Sequence, residues 1–371
     1  MKQTILSAEN DYAALDRWLL EKGIRSLFLV CGNSIKYLKL GAYFEALPRR
    51  LGIQVHRFSD FQPNPLYESV VRGTALFRQS GCGAIAAVGG GSAMDVAKCI
   101  KLYSNMNPDE NYLHQPIVPN AIPFLAVPTT AGTGSEATRF AVIYYEGNKQ
   151  SVADYSCIPE AVVLDASVLH SLPLFQKKAT MLDALCHAVE SFWSVNSTPE
   201  SRALSREAIA GVMAHMEGYL SNTEAGNAGM LLAANVAGQA INITQTTAGH
   251  AMCYKLTSLY GLPHGQAAAL CVGKLFPYMV RHTDRCCDPR GEAFLCRVLE
   301  QIAAALGCDS AESGAEKFGM LLKKLEITPP QPEKTDFAIL RSSVNPVRLK
   351  NHPVALDAQA IDMLYHEILR T

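Results

Sequence analysis

The hydrophobic pattern of this chain changes near residue 165. Before it, short apolar runs alternate with helical patterns. Arg25–Val30, Gly52–Phe58, Ala84–Val88 and Phe124–Val127 read as strands, and Ser34–Leu47, Asn64–Gln79 and Ser92–Tyr103 read as helices. That βαβα order predicts a parallel sheet covered by helices. After Val162-Val163-Leu164-Asp165 the strand signals fade. Helical periodicity takes over in Thr180–Val195, Pro199–Leu220, Ala225–Thr244, Gly291–Leu306 and Ala358–Leu369. A length of 371 residues favours two domains, so we expect an α/β domain over 1–167 and an all-α domain over 168–371.

Composition removes several function classes. Thirty-three basic residues against thirty-four acidic ones leave a net charge of -1, which gives no cationic footprint for nucleic acid or an anionic membrane. The longest stretch without Asp, Glu, Lys or Arg, Ala225–Tyr254, carries Asn227, Asn235, Gln239, Asn242, Gln245 and His250. A bilayer penalises those side chains, so the stretch reads as buried helices of a soluble protein. The first residues, Met1-Lys2-Gln3-Thr4-Ile5, lack the basic-then-apolar order of a signal peptide. Eleven cysteines without a CxxC pair point to reduced, mostly buried thiols and a cytoplasmic setting.

Two glycine-rich loops follow strand-like runs. In Val88-Gly89-Gly90-Gly91-Ser92-Ala93-Met94-Asp95, the glycines let backbone approach a ligand and the helix that follows presents free N–H groups. A pyrophosphate cradle is the functional reading; Ser92 and Asp95 also have capping-box spacing, which would make the segment a well-capped turn. The second loop, Pro128-Thr129-Thr130-Ala131-Gly132-Thr133-Gly134-Ser135-Glu136, sets small hydroxyl residues between glycines. Two such loops after parallel strands favour nucleotide binding, although the chain has no GxGxxG.

Most of the ten histidines have no partner pattern. Asp183 and His187, four apart in a helical segment, share one helix face and can reach one cation. His250 and His264 are too far apart on one continuous helix, where fourteen residues span about 21 Å. Tyr260-Gly261-Leu262-Pro263 breaks the helix between them and lets the chain turn back. One carboxylate and three imidazoles suit Fe(II) or Zn(II) and leave a position for a substrate oxygen; unrelated core histidines are the alternative.

Taken together, these segments resemble the iron-containing, or group III, alcohol dehydrogenase family. The matching residues are Gly89-Gly90-Gly91-Ser92 with Asp95 and Lys98, the Pro128–Glu136 loop, Asp183-Ala184-Leu185-Cys186-His187-Ala188, and His250 with Pro263-His264-Gly265. The resemblance spans about residues 10 to 370, with the motifs in family order. It implies the dehydroquinate-synthase-like fold: an α/β dinucleotide-binding domain and a helical metal-binding domain, with the active site in the cleft between them. It implies metal ligation by Asp183, His187, His250 and His264. It places Gly90, Gly91 and Ser92 at the pyrophosphate, further cofactor contacts at Asp95, Thr129, Thr130, Thr133 and Lys149, and Leu169 against the nicotinamide. Family members often form homodimers or larger homo-oligomers.

Two departures from the family pattern are informative. NAD-preferring members usually carry an Asp after the first strand; here Gly32 stands there, followed by Asn33, Ser34 and Lys36. Loss of that carboxylate makes room for a 2′-phosphate, so NADP(H) is the expected cofactor, with NAD(H) also accepted if Lys36 is merely solvated. Tyr254 replaces a histidine that often follows the third ligand by four residues and relays a proton. The stretches around Thr138-Arg139-Phe140-Ala141, Glu190–Asn196 and Thr246–His250 with Tyr254 look most like the phosphonoacetaldehyde reductase branch. That implies reduction of phosphonoacetaldehyde to 2-hydroxyethylphosphonate, with Arg139, Phe140 and Lys255 near the substrate, although Gln245 stands where that branch would have Arg. A broad short-chain alcohol or aldehyde dehydrogenase is the alternative, and a dehydroquinate-synthase-like lyase shares the fold.

Overall fold

A computed structural model of the chain describes residues 3–369. Residues up to Leu172 form one compact unit and those from Pro173 a second.

The first unit is built on strands β1 (Thr4–Leu6), β2 (Ser26–Cys31), β3 (Gln54–Phe58), β4 (Ala84–Gly89), β5 (Phe124–Pro128), β6 (Phe140–Tyr145), β7 (Asn148–Ala153) and β8 (Ala161–Val163). Six of them form a parallel sheet in the order β1-β8-β5-β4-β2-β3, while β6 and β7 pair as a separate antiparallel hairpin. Every residue of β4 and β5 is buried, as an interior parallel strand covered on both faces requires. Helices α1 (Glu9–Glu21), α2 (Lys39–Leu51), α3 (Tyr67–Ser80) and α4 (Gly91–Tyr103) complete the unit. The last segment is tied in by the Tyr12 hydroxyl, which donates to Asp165 at 2.5 Å.

Three local features differ from the sequence reading. The pattern over Ser34–Leu47 is not one helix: a 3-10 turn at Asn33–Tyr37 and an extended Leu38 precede α2. Gly41 permits that break, because a Cβ there would lie 2.5 Å from the Ile35 carbonyl oxygen. Strand β1 and helix α1 carried no strong signal, and β1 acquires its conformation by pairing with β8.

The second unit contains α5 (Leu174–Trp193), α6 (Pro199–Leu220), α7 (Glu224–Thr244), α8 (Ala248–Tyr260), α9 (His264–Arg281), α10 (Glu292–Ala305), α11 (Ala311–Lys324), α12 (Asp336–Ser343), α13 (Pro346–Leu349) and α14 (Ala358–Leu369). Among its described residues no strand occurs, only an isolated bridge between Cys286 and Val354. The uncharged run Ala225–Tyr254 becomes α7, a short connection and α8. Its polar groups are satisfied internally: Lys177 donates to Asn227 at 2.8 Å, and Gln239 donates to Asn235 at 2.8 Å. No described helix is long and apolar enough to cross a membrane. None of the eleven cysteines forms a disulfide, and seven of them are buried.

Candidate active site

In the first unit the carboxyl ends of β2, β4 and β5 are level, with Cys31 opposite Val88 and Gly89 opposite Pro128. The loops after β4 and β5 therefore emerge side by side, and Thr129 donates its N–H to the Gly89 carbonyl at 3.0 Å. The first loop leaves little room for side chains, and at Gly89 none. A Cβ at Gly89 would lie 2.6 Å from that of Ala93; one at Gly90 would lie 3.2 Å from Thr130 Oγ1, and one at Gly91 3.1 Å from Thr133 Cγ2. Helix α4 starts at Gly91 with Gly90 as its N-cap, and no side chain caps it. Bare N–H groups at a helix start, flanked by glycine and threonine, suit a pyrophosphate.

Ser92 and Asp95 thus do not form the capping box that their spacing allows. Asp95 instead accepts from the Ser135 hydroxyl at 3.0 Å, joining α4 to the second loop. Burial pushes its carboxyl up to about 6, against the opposing charge of Lys98. Lys98 is fully buried and donates to the carbonyls of Ser135, Thr138 and Phe140 at 2.5, 2.7 and 2.7 Å. It fastens the loop to β6, which makes its role in the motif structural.

Other residues singled out in this unit are more dispersed. Gly32 ends β2 in an extended conformation, with Asn33, Ser34 and Lys36 on the 3-10 turn behind it. Lys36 lies over the Tyr37 ring at 4.9 Å. Arg57, from β3, carries no local sequence signal; its Nη2 donates to the Gly32 carbonyl and to Asn33 Oδ1, both at 3.3 Å. Lys149 lies on β7, Phe140 opens β6, and the Arg139 guanidinium covers the Phe140 and Tyr155 rings at 4.4 and 4.9 Å. Leu169 is completely buried in a 3-10 turn at Ala166–Leu169.

In the second unit, α5 carries Asp183, His187 and Glu190, and α8 carries His250 and Tyr254. Gly261, at φ 68°, ends α8, and Pro263 starts α9 with His264 as its first residue. Three imidazoles then converge on one carboxylate oxygen. Asp183 Oδ1 is 3.4 Å from His250 Nε2 and 3.8 Å from the Nε2 atoms of both His187 and His264. Donors held about 2.1 Å from a common tetrahedral cation stand about 3.4 Å apart, so the spacing fits a metal ion. Asp183, His187 and His250 are buried, and their ligand atoms all lie within 4.8 Å of one another. Burial would raise the Asp183 pKa, but the surrounding imidazoles hold it well below the usual carboxylate range.

Glu190, which is completely buried, supports this cluster. Its carboxylate contacts His250 Nδ1 and accepts from the Thr247 hydroxyl at 2.6 Å and from the Thr247 N–H at 3.0 Å. With Nδ1 engaged, His250 turns Nε2 toward Asp183, the arrangement a metal-binding imidazole needs. Burial would raise the Glu190 pKa, but the His250 ring, the Thr247 hydroxyl and the His250 N–H lower it, so the carboxylate is the ionised acceptor. Glycines make room for the approach. A Cβ at Gly265 would lie 2.0 Å from the Ala179 carbonyl and 2.8 Å from Asp183 Cβ, and one at Gly249 3.0 Å from the Glu190 carboxylate. Tyr254 stacks on His264 at 5.6 Å and 16°, and burial pushes its phenol well above its ordinary pKa. Lys255 follows it on α8, partly exposed.

Residues 3–166 match the model described as iron-containing alcohol dehydrogenase, and residues 177–333 match that of the Fe-containing alcohol dehydrogenase family, C-terminal. The chain belongs to the iron-containing alcohol dehydrogenase family. It is 31% identical over 318 residues to alcohol dehydrogenase 4 of Schizosaccharomyces pombe, covering 83% of this chain and 72% of the relative. It is 33% identical over 297 residues to the phosphonoacetaldehyde reductase of Streptomyces viridochromogenes, covering 76% of this chain and 75% of that one. The fold is similar to a crystal structure of sulfoacetaldehyde reductase from Bifidobacterium kashiwanohense in complex with NAD+. The TM-score is 0.88 at 24% identity, covering 100% of this chain and 97% of the other. The architecture is therefore the dehydroquinate-synthase-like fold expected, and this iron-containing alcohol dehydrogenase is an oxidoreductase of the alcohol and aldehyde class.

Proposed function

We propose that the enzyme reduces phosphonoacetaldehyde to 2-hydroxyethylphosphonate with NADPH, using iron held by Asp183, His187, His250 and His264. The observation that carries the reductase chemistry is the convergence of three imidazole nitrogens on Asp183 Oδ1 at 3.4–3.8 Å. The phosphonate rests on the 33% identity to a phosphonoacetaldehyde reductase.

When bound, iron supplies Lewis-acid polarisation of a carbonyl and the nicotinamide supplies a hydride. The protein's own residues do the positioning. Glu190 holds the His250 ring in register. Tyr254, kept neutral by burial, stacks on the His264 ring; with no histidine at this position, the proton that completes the alcohol runs through water and ribose hydroxyls. In the first unit, Gly90, Gly91, Ser92, Thr129, Thr130 and Thr133 cradle the pyrophosphate. Gly32 leaves space for a 2′-phosphate and Arg57 supplies a cation beside it, which supports NADP(H) over NAD(H).

The test is oxidation of NADPH and NADH by anaerobically iron-loaded enzyme with phosphonoacetaldehyde, with butyraldehyde and without aldehyde. Turnover fastest with NADPH and the phosphonate supports the proposal. Preference for butyraldehyde would replace it with a broad alcohol dehydrogenase, the activity class of the 31% identical relative.

A further inference from the structure

We infer that Arg348 forms an anion-binding subsite beside the donor cluster and takes the phosphonate of the substrate; the inference rests on the substrate reading above. Of the four clustered side chains, three are buried while that of His264 is 38% exposed, so a small molecule reaches the cluster past His264. On that side the Tyr254 ring stacks on His264, and the Arg348 guanidinium lies 5.2 Å from the centroid of the same Tyr254 ring. One aromatic ring therefore separates a fixed cation from the exposed imidazole.

The Arg348 guanidinium is held by the Tyr254 ring and by Thr246. Its Nη1 donates to the Thr246 hydroxyl at 3.1 Å, and among the described residues no carboxylate pairs with it. The segment that carries it is locked to the start of α8. Asn351 donates to the Thr246 carbonyl at 3.2 Å, and Asn196 donates to Asn351 at 3.0 Å. A positioned guanidinium without a carboxylate partner offers a planar fork of donors to a tetrahedral oxyanion. Neither earlier candidate matches it. Arg139 lies over Phe140 and Tyr155 in the first unit, and Lys255 is a step of about 100° around α8 from Tyr254.

The experiment measures kcat/KM for phosphonoacetaldehyde and butyraldehyde, and competitive inhibition by methylphosphonate, in wild type, Arg348→Ala and Arg348→Lys. The expected result is a wild-type preference for the phosphonate. In Arg348→Ala the ratio of the two kcat/KM values falls by about 100-fold, methylphosphonate inhibition weakens in parallel, and Arg348→Lys recovers part of both. If the wild type prefers the phosphonate and both variants keep its ratio and inhibition, the role of Arg348 is overturned while the substrate reading stands. If the wild type prefers butyraldehyde and ignores methylphosphonate, the substrate reading falls and the subsite with it. Should Arg348→Ala not fold, Arg348→Lys and Arg348→Gln decide by the same ratios.

Discussion

His250 Nδ1 lies against a carboxylate oxygen of Glu190, and both side chains are almost completely buried. The contact leaves His250 with one nitrogen, Nε2, for a cation. Glu190→Gln should therefore weaken iron binding by about 10- to 100-fold, because a neutral amide holds the ring less firmly. Competition against a chelator of known affinity measures this. Unchanged affinity would reduce Glu190 to a core hydrogen-bond acceptor.

Gly265→Ala should disturb the same cluster by steric means alone. The added methyl would lie 2.0 Å from the Ala179 carbonyl and 2.8 Å from Asp183 Cβ, so α9 must move away from α5 and take His264 with it. The cost in stability should be about 1–3 kcal/mol, with a lower iron stoichiometry. Denaturant unfolding and metal analysis check the two effects; a variant with both values of the wild type contradicts the close packing.

His352 should govern part of the acid sensitivity. It is completely buried, edge-on to Trp193, and neither ring nitrogen has a hydrogen-bond partner among the described residues. Burial pushes its pKa down to about 4 against the opposing charge of Glu190. The native state thus binds fewer protons than the unfolded chain between pH 4 and 6.5. Stability is complete above pH 6.5 and falls as the pH drops toward 4, by roughly 3 kcal/mol from this group. His352→Phe should remove that acid limb from urea unfolding of the metal-free protein. An equally steep acid limb in the variant would show that other groups cause it.

Cofactor preference should turn on the end of β2. Gly32→Asp places a carboxylate where a 2′-phosphate would lie and should lower the NADPH to NADH ratio of kcat/KM by at least about tenfold. Arg57→Ala should move the ratio the same way by a smaller factor. An unchanged ratio in both variants would place the selectivity elsewhere.

The parts of this molecule legible in the sequence were those written locally. The β4 and β5 runs, the glycine loops and the Asp183–His187 pair each depend on spacing along a few residues. The break at Gly261–Pro263 also announced that His250 and His264 belong to different helices. Glu190 was legible in principle, three residues after His187 on α5, but an acidic residue on a helix is ordinary until Thr247 and His250 are seen to close on it. Arg57 and Arg348 left no such trace. They reach Gly32 and Tyr254 through contacts between segments 25 and 94 residues apart, which no local period records. Gly249 and Gly265 likewise appear as glycines beside histidines, and only the helix crossings reveal why a methyl group is excluded.

The metal site is tested by anaerobic iron titration of wild type and His264→Ala, with iron content and NADPH oxidation read on the same samples. One tightly bound iron per wild-type chain is expected. The variant should lose affinity by at least about 100-fold and lose turnover with it. Full iron occupancy and undiminished turnover in His264→Ala would contradict that expectation.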